Sequence, residues 1–431
     1  MQVIFPLNAA LAIVAGGSAL AQTKPGLDTT TFVVMGEGLA AGMANFGLSS
    51  AFQNFSFPAQ AAAQMNTALV QPLIQPPGIG NIVGYPTQEV RLQTYPQGAV
   101  RVFYPSTTTP ATSPPLFITN LSVPGLTLSD SVSLRPVAPI AQRDMKQTVV
   151  NMILGFPQLF LNVPLWNQFE YAQAMFPSVA LIELGYTEAL NAAVALDPTQ
   201  LPAPATFGAT YGQIVAGLRG LQAQVIVTTI PNPLDTAYFS NSVTAASITA
   251  TTPFVITAGY GITPQDYLTR NALMTISNQF TNGAISPLPA GSVLTAANAA
   301  ALTAGINALN AQIISVAKAN GAVVYDLAAF LHNVKVAGAS IGASTLNANY
   351  LGGFYSLDAI YPGPTGNALI ANDFLKFLNA AYQKSYPLIT ISTVSANDPV
   401  ITYQQPAGAL HTAASLGISE PSDSFPELKR Q

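Results

Sequence analysis

The sequence predicts an α/β fold built on a parallel sheet, and three observations predict it. Short uninterrupted apolar runs, Phe32-Val33-Val34-Met35 first among them, are bounded by residues such as Thr31 and Gly36, as suits strands buried on both faces. Several of these runs break into glycine turns, at Gly36-Glu37-Gly38 and again at Val123-Pro124-Gly125. Helical spacing alternates with them: Phe207, Tyr211, Ile214, Val215 and Leu218 precede Val225-Ile226-Val227, a βαβ rhythm.

Taken in order, residues 1–21 hold an apolar segment ending in Ala19-Leu20-Ala21, which reads as a secretory leader cleaved after Ala21; the bland alternative is an N-terminal helix. Residues 22–382 then form the main domain. The strand at 32–35 leads to a first helix over Pro58–Met65, where the proline suits a helix start. Proline and glycine recur over about 70–117, with short alternating pieces at 90–93 and 100–103, and mark a hairpin-like insertion. Ile118–Val123 is the next strand, and a second insertion-like stretch runs to Trp166. Val179–Leu184 is a strand, 204–222 a helix and Gln224–Ile230 another strand. Residues 235–292 read as Thr/Ser-rich loops with aromatic pieces, inserted where they would roof a pocket. A long helix over 295–319 carries Leu302, Ile306, Leu309 and Ile313 on one stripe, and 322–326 is the last core strand, leading into a helix to His332. Residues 383–431 are an extension expected to be mobile from about Ser395, because no periodic apolar face remains there.

Composition narrows function. The 431 residues are 49% hydrophobic but only 7% charged, against roughly 25% in ordinary globular chains. The net charge of −4 and the lack of a basic run argue against nucleic-acid binding. With no cysteine, disulfides and thiolate chemistry are absent, and two widely spaced histidines, His332 and His411, do not suggest a metal centre; no cofactor is expected. No stretch after the leader is apolar and unbroken enough to predict a membrane-spanning helix.

Four blocks of this chain resemble those of the GDSL/SGNH family of secreted esterases and lipases. Gly36-Glu37-Gly38-Leu39 stands at the place of the Gly-Asp-Ser-Leu motif, so Gly38 replaces the nucleophilic serine. Asn120-Leu121-Ser122-Val123-Pro124-Gly125 resembles the second block, with the oxyanion-hole glycine kept as Gly125. Gly185-Tyr186-Thr187-Glu188 stands where Gly-x-Asn-Asp is expected and puts Thr187 at the asparagine position. Ser356-Leu357-Asp358-Ala359-Ile360-Tyr361-Pro362 resembles Asp-x-x-His-Pro, with Asp358 kept and Tyr361 at the histidine position. The resemblance spans about Thr31 to Tyr382 and implies a three-layer α/β/α sandwich with a parallel sheet of flavodoxin-like order.

It also implies a lost activity. Ester hydrolysis by the family's route needs a hydroxyl nucleophile, an imidazole base, a carboxylate orienting it and amide donors for the oxyanion. Gly38 supplies no hydroxyl, and a tyrosine with an ordinary pKa near ~10 is a poor base at neutral pH. Vestigial positions are therefore Gly38, Gly125, Thr187, Asp358 and Tyr361, with Asp358 reduced to a hydrogen-bonding role. Ser356 is the nearest replacement nucleophile, and Glu37, Glu188 and Asp358 form a candidate acid/base carboxylate set, although the bland reading of Glu37 and Glu188 is structural. His332 reads as a helix-end histidine and His411 as part of the tail. The sequence expectation is a secreted, non-catalytic protein with a binding or scaffold role. It includes a small uncharged acyl or glycan ligand in the old cleft, lined by Tyr186 and Tyr361, unless Tyr361 simply fills the hole. The alternatives are an active carboxylic ester hydrolase or lipase with a rearranged site, and a protein that interacts through its low-charge exterior.

Overall fold

A computed structural model describes residues 26–74, 78–79, 102–103, 117–155 and 165–402. The leader at 1–21, the alternating piece at 90–93 and His411 lie outside these. Within them the protein is mixed α/β, with a parallel sheet of four strands flanked by helices. The strands are β1 (Phe32–Gly36), β2 (Val179–Glu183), β3 (Gln224–Thr228) and β4 (Val323–Tyr325), adjacent in that order. All five residues of β1 and all five of β2 are buried, which is why their sequences are continuous apolar runs rather than alternating ones. Register places Phe32 beside Val179 and Gly36 beside Glu183, so β1 and β2 end together at one edge.

The expected strand at 118–123 runs along the free side of β1. Val34 N–H donates to Thr119 O (2.8 Å), Leu121 N–H to Val34 O (2.9 Å) and Val123 N–H to Gly36 O (3.1 Å). Gln168 clamps the same corner, its Nε2 donating to Gly36 O and Leu121 O, both at 2.8 Å.

The helices that bear on the site are α1 (Gly38–Ala41), α2 (Phe57–Gln64), α3 (Tyr186–Val194), α4 (Pro204–Gly220), α5 (Ala296–Asn320), α6 (Leu327–Ala337) and α7 (Pro364–Tyr382). Local chemistry sets their ends. Ser56 accepts from Ala59 N–H and Pro58 opens α2; Thr295 accepts from Asn298 N–H at the start of α5, and Gly321, at φ 62°, ends it. Helix α4 packs along α5 and α7 along α2. Among the described residues α5 alone is long and apolar enough to cross a membrane, with mean hydropathy 1.3; its stripe Leu302, Ile306, Leu309, Ile313 and Ala317 is buried in the core.

Two expectations are corrected. Residues 235–292 are not loops. They fold into helices Ser242–Ile248, Pro253–Tyr260 and Arg270–Thr281 and an antiparallel sheet of Phe239–Ser240, Tyr267–Thr269 and Val293–Leu294. A small core of Ala245, Ala246, Ile256, Leu268, Ala272, Leu273 and Ile276 holds the unit together. The other correction concerns the start of the tail, which stays docked from Ser395 to residue 402, while 403–431 lie outside the described residues: Asp398 is fully buried, accepting Thr365 N–H at Oδ2 and Val400 N–H at Oδ1, both at 2.9 Å. A carboxylate at the N-terminus of α7 meets orphan amides and the positive end of the helix dipole, reason enough for a polar segment to stay bound. The insertion at 70–117 is represented by Leu73–Ile74 paired antiparallel with Val102–Phe103.

Candidate functional site

All four sequence blocks meet around the edge where β1 and β2 end, the edge at which parallel α/β sheets place their chemistry: Asn120 Nδ2 donates to Ala40 O at 3.2 Å, Thr187 reaches Glu37, and Tyr361 lies over Gly38. Gly36 makes the first turn possible: a Cβ there would lie 2.6 Å from Ala40 Cβ and 2.7 Å from Ser122 Oγ. Helix α1 then starts at Gly38 without a side-chain cap of its own. Glu183 takes that role from the neighbouring strand, its Oε2 accepting Glu37 N–H (3.1 Å) and Ala40 N–H (3.2 Å).

Glu183 was missed by sequence reasoning, which passed over it as one residue of a strand. A lone carboxyl ending an otherwise apolar run was the signal. It belongs to a buried group of three. Thr187 Oγ1 donates to Glu37 Oε2, and Glu188 Oε1 accepts Leu128 N–H at 2.6 Å. Glu37 Oε1 and Glu188 Oε2 are buried with no hydrogen-bond partner among the described residues. Burial first, and then the charges of Glu183 and Glu188, push the Glu37 carboxyl well above the usual range. Burial pushes Glu183 up to about 8 and Glu188 up to about 7. A cluster of this kind holds protons at neutral pH because ionising every member in a low-dielectric interior is too costly. Glu37 and Glu188 thus sit together as expected for one sheet edge, in a packed interior.

Asp358 lies apart from them. Its Oδ1 accepts Ile360 N–H and Tyr361 N–H, both at 2.8 Å, and its Oδ2 accepts Phe46 N–H at 3.3 Å. Burial nevertheless holds its pKa above the ordinary value. Ser356 is buried too, with Oγ accepting Asn45 N–H at 2.9 Å, while Asn45 Oδ1 accepts Leu357 N–H at 2.9 Å. The pair Asn45–Phe46, both at positive φ (48° and 67°), is pinned to the 356–361 turn by these bonds. The Ser356 hydroxyl also donates to the Asp358 carboxylate, so both of its roles are spent on the turn and it is shut away from solvent, a poor setting for the replacement nucleophile considered from sequence.

Tyr361 decides the geometry. Its ring and hydroxyl lie over Gly38, so close that a Cβ on residue 38 would stand 2.5 Å from Cε1, Cζ and Oη alike. The side chain is 2% exposed and packs edge-on against Tyr186, ring centroids 6.4 Å apart at 78°. Burial, followed by the charges of Glu37, Asp358 and Glu183, raises its pKa well above 10, as burial also does for Tyr186. A phenol so placed keeps its proton and cannot serve as a base. The space above Gly38, where a ligand was expected, is filled by the tyrosine itself. Gly125, at φ 77°, is half-buried and faces open space, with nothing within 4 Å of a Cβ there. Thr187 is buried and spends its hydroxyl on Glu37.

His332 lies away from this edge, on α6, where its Nδ1 meets Asp235 Oδ2 at 3.1 Å on the surface. Among the described residues no group of histidine, aspartate and glutamate is arranged to hold a metal ion. No protein-family model matches the sequence, and no curated protein matches it.

Proposed function

We propose that this chain is a catalytically silent protein of SGNH-hydrolase-like architecture whose old reaction centre has become packed core, and that it works by binding or scaffolding. The observation that carries this reading is the seat of Tyr361 over Gly38: the base position closes the nucleophile position, so neither the group nor the room for an acyl intermediate is present. Strand order gives independent support. Counting the 119–123 segment beside β1, the parallel strands run second, first, third, fourth, fifth in chain order, the flavodoxin-like order that the block resemblance implies. The cap that Glu183 provides and the Glu37–Thr187 bond account for the edge as structure, without invoking turnover. Export through the 1–21 leader is part of the same proposal.

The test is chemical. A fluorophosphonate probe incubated with the full chain should leave no adduct, and short- and medium-chain acyl esters should be hydrolysed at the uncatalysed rate. Stoichiometric labelling of Ser356, or of any other serine, would replace this reading with that of an esterase using a rearranged site.

A further inference from the structure

Beside α1, buried side-chain amides join three separate stretches of the chain. Gln53, the last residue of the helix Ser50–Gln53, turns its amide on the start of the 70–117 insertion: Nε2 donates to Pro72 O and Oε1 accepts Ile74 N–H, both at 2.8 Å. Gln71 Nε2 donates back to Gln53 O at 3.1 Å. Asn120 carries the network to the sheet, Nδ2 donating to Gln71 Oε1 at 2.9 Å and to Ala40 O at 3.2 Å, while Oδ1 accepts Ser122 N–H at 3.2 Å. Gln53, Gln71, Asn120 and Ser122 are all buried.

The network ends on an unpaired hydroxyl. Ser122 Oγ is buried and has no hydrogen-bond partner among the described residues, a costly state for a group that can both donate and accept. A cavity adjoins it, lined by the same four residues together with Ala41, Pro72 and Ile153. The room it leaves for the centre of a water molecule is about 10 Å³, the space that one water takes by that measure. Its walls also offer acceptors. Gln71 Oε1, Asn120 Oδ1 and Pro72 O each accept one hydrogen bond of the network, and a carbonyl oxygen can accept two.

We propose that this cavity is a binding site for one internal water molecule, anchored on Ser122 Oγ and bonded onward to the amide oxygens of Gln71 or Asn120. Size and lining select that occupant. The space is too small for a polyatomic ligand, and cavities that stay dry are walled by apolar groups, whereas this one is walled by amides and a hydroxyl. A hard cation would call for a shell of oxygens with carboxylates among them, and no carboxylate lines the cavity. A water held there completes the hydrogen bonding of Ser122 and acts as a strut between the first residues of the insertion and the segment that runs beside β1. The inference does not depend on the state of the centre at Gly38.

A crystal structure of the full chain, at a resolution where waters are refined one by one, tests it directly. One fully occupied water should stand about 2.7–3.2 Å from Ser122 Oγ and from at least one of the two amide oxygens. A dry cavity, or a Ser122 hydroxyl turned onto a protein acceptor, would overturn the proposal. So would an atom ringed by oxygens at about 2.3–2.6 Å, because the occupant would then be a cation. Magnetic relaxation dispersion of the solvent gives a second readout, since it counts the waters that stay inside a protein in solution. Ser122→Ala removes the hydroxyl and adds no bulk, so it should lower that count by one; an equal count in wild type and variant would remove Ser122 as the anchor. Should the variant fail to fold, the wild-type density decides alone.

Discussion

The carboxyl edge of the sheet and the inserted unit handle charge in opposite ways. At the edge, the carboxyls of Glu37, Glu183, Glu188 and Asp358 are turned inward and engage backbone amides or Thr187, with Glu37 Oε1 and Glu188 Oε2 left without a partner among the described residues. In the unit, charge is nearly absent, and Arg270 and Asp266 serve as internal fasteners beneath an apolar exterior. One region encloses carboxyls and tyrosines at the end of the sheet; the other is rich in small and hydroxyl residues and exposes Phe254, Val243 and Ile285. The lesson is that titratable residues gathered by a motif need not be accessible: here burial, and not residue type, sets what the edge can do.

The sharpest way to break this contrast is at Tyr361. If the ring is core packing, Tyr361→Ala should cost roughly 3–5 kcal/mol in denaturant unfolding, as truncation of a large buried aromatic does. Gly38→Ser alone should cost about 1–3 kcal/mol through overpacking against the same ring, and much less in the Tyr361→Ala background, a non-additivity expected only of groups in direct contact. An unchanged stability for Tyr361→Ala would return the edge to the status of an open binding cleft.

Arg270 probes the other region. Its bond to Tyr350 and its place over Phe46 tie the unit to the turn that Asp358 organises. Arg270→Ala should cost roughly 2–4 kcal/mol, the sum expected for a buried charge-assisted hydrogen bond and a ring contact. Amide exchange should rise first in 239–294, with β1 and β2 still protected; uniform loss of protection would mean that unit and edge unfold as one body.

The carboxyl cluster should also show itself in pH dependence. Burial pushes folded Glu183 up to about 8 and folded Glu188 up to about 7 from an ordinary 4.5, so from about pH 4.5 upward the unfolded chain should release protons that the folded chain keeps. The stability that Glu183 and Glu188 lend is complete below that window, falls as pH rises and is gone above about 8, with a limiting slope of about 1.4 kcal/mol per pH unit per carboxyl; Glu37, also raised, acts in the same direction. Lys335, lowered to about 8 from 10.5 by burial, acts only at higher pH and in the opposite sense, stability rising with pH there. Urea midpoints measured from pH 5 to pH 8 should decline, and Glu188→Gln should flatten the decline. A flat wild-type profile would mean the cluster is hydrated and ionised.

How far this was legible in the sequence follows from the range of each interaction. Strands β1 to β4 and helices α4 and α5 are local patterns of apolar residues, and the chain states them directly. The inserted unit was hidden because Ala, Ser and Thr are frequent in it, and a core of three alanines with four Ile and Leu residues spread over short elements leaves a weak periodic signal. The docking of Asp398 at α7 required knowing which helix end lay nearby. At the edge, Gly38, Thr187 and Tyr361 could be singled out one by one in the sequence, but the contact of Gly38 with Tyr361 could not. Gly38 and Tyr361 belong to opposite ends of the domain, and only the fold brings the phenol over the glycine.

The smallest effect falls on the boundary between the two regions. Asp235, in the Pro233–Asp235 turn that leads into the inserted unit, meets His332 of α6, and at first sight this pair fastens the unit as Arg270 does. The imidazole, however, is largely in solvent, whereas the guanidinium of Arg270 is enclosed. A contact whose imidazole stands in water gains little even though the Asp235 carboxyl beside it is mostly covered, and whatever Coulomb energy it has is screened by salt. His332→Ala should therefore cost less than about 1 kcal/mol, and the difference should shrink further at high ionic strength. Asp235 would keep a neighbour in Lys335, whose charge also favours its ionised form, so the carboxylate is not stranded by the substitution. Urea unfolding of His332→Ala and Arg270→Ala side by side measures the contrast; equal losses would mean that surface ties, and not buried ones, hold the inserted unit to the sheet.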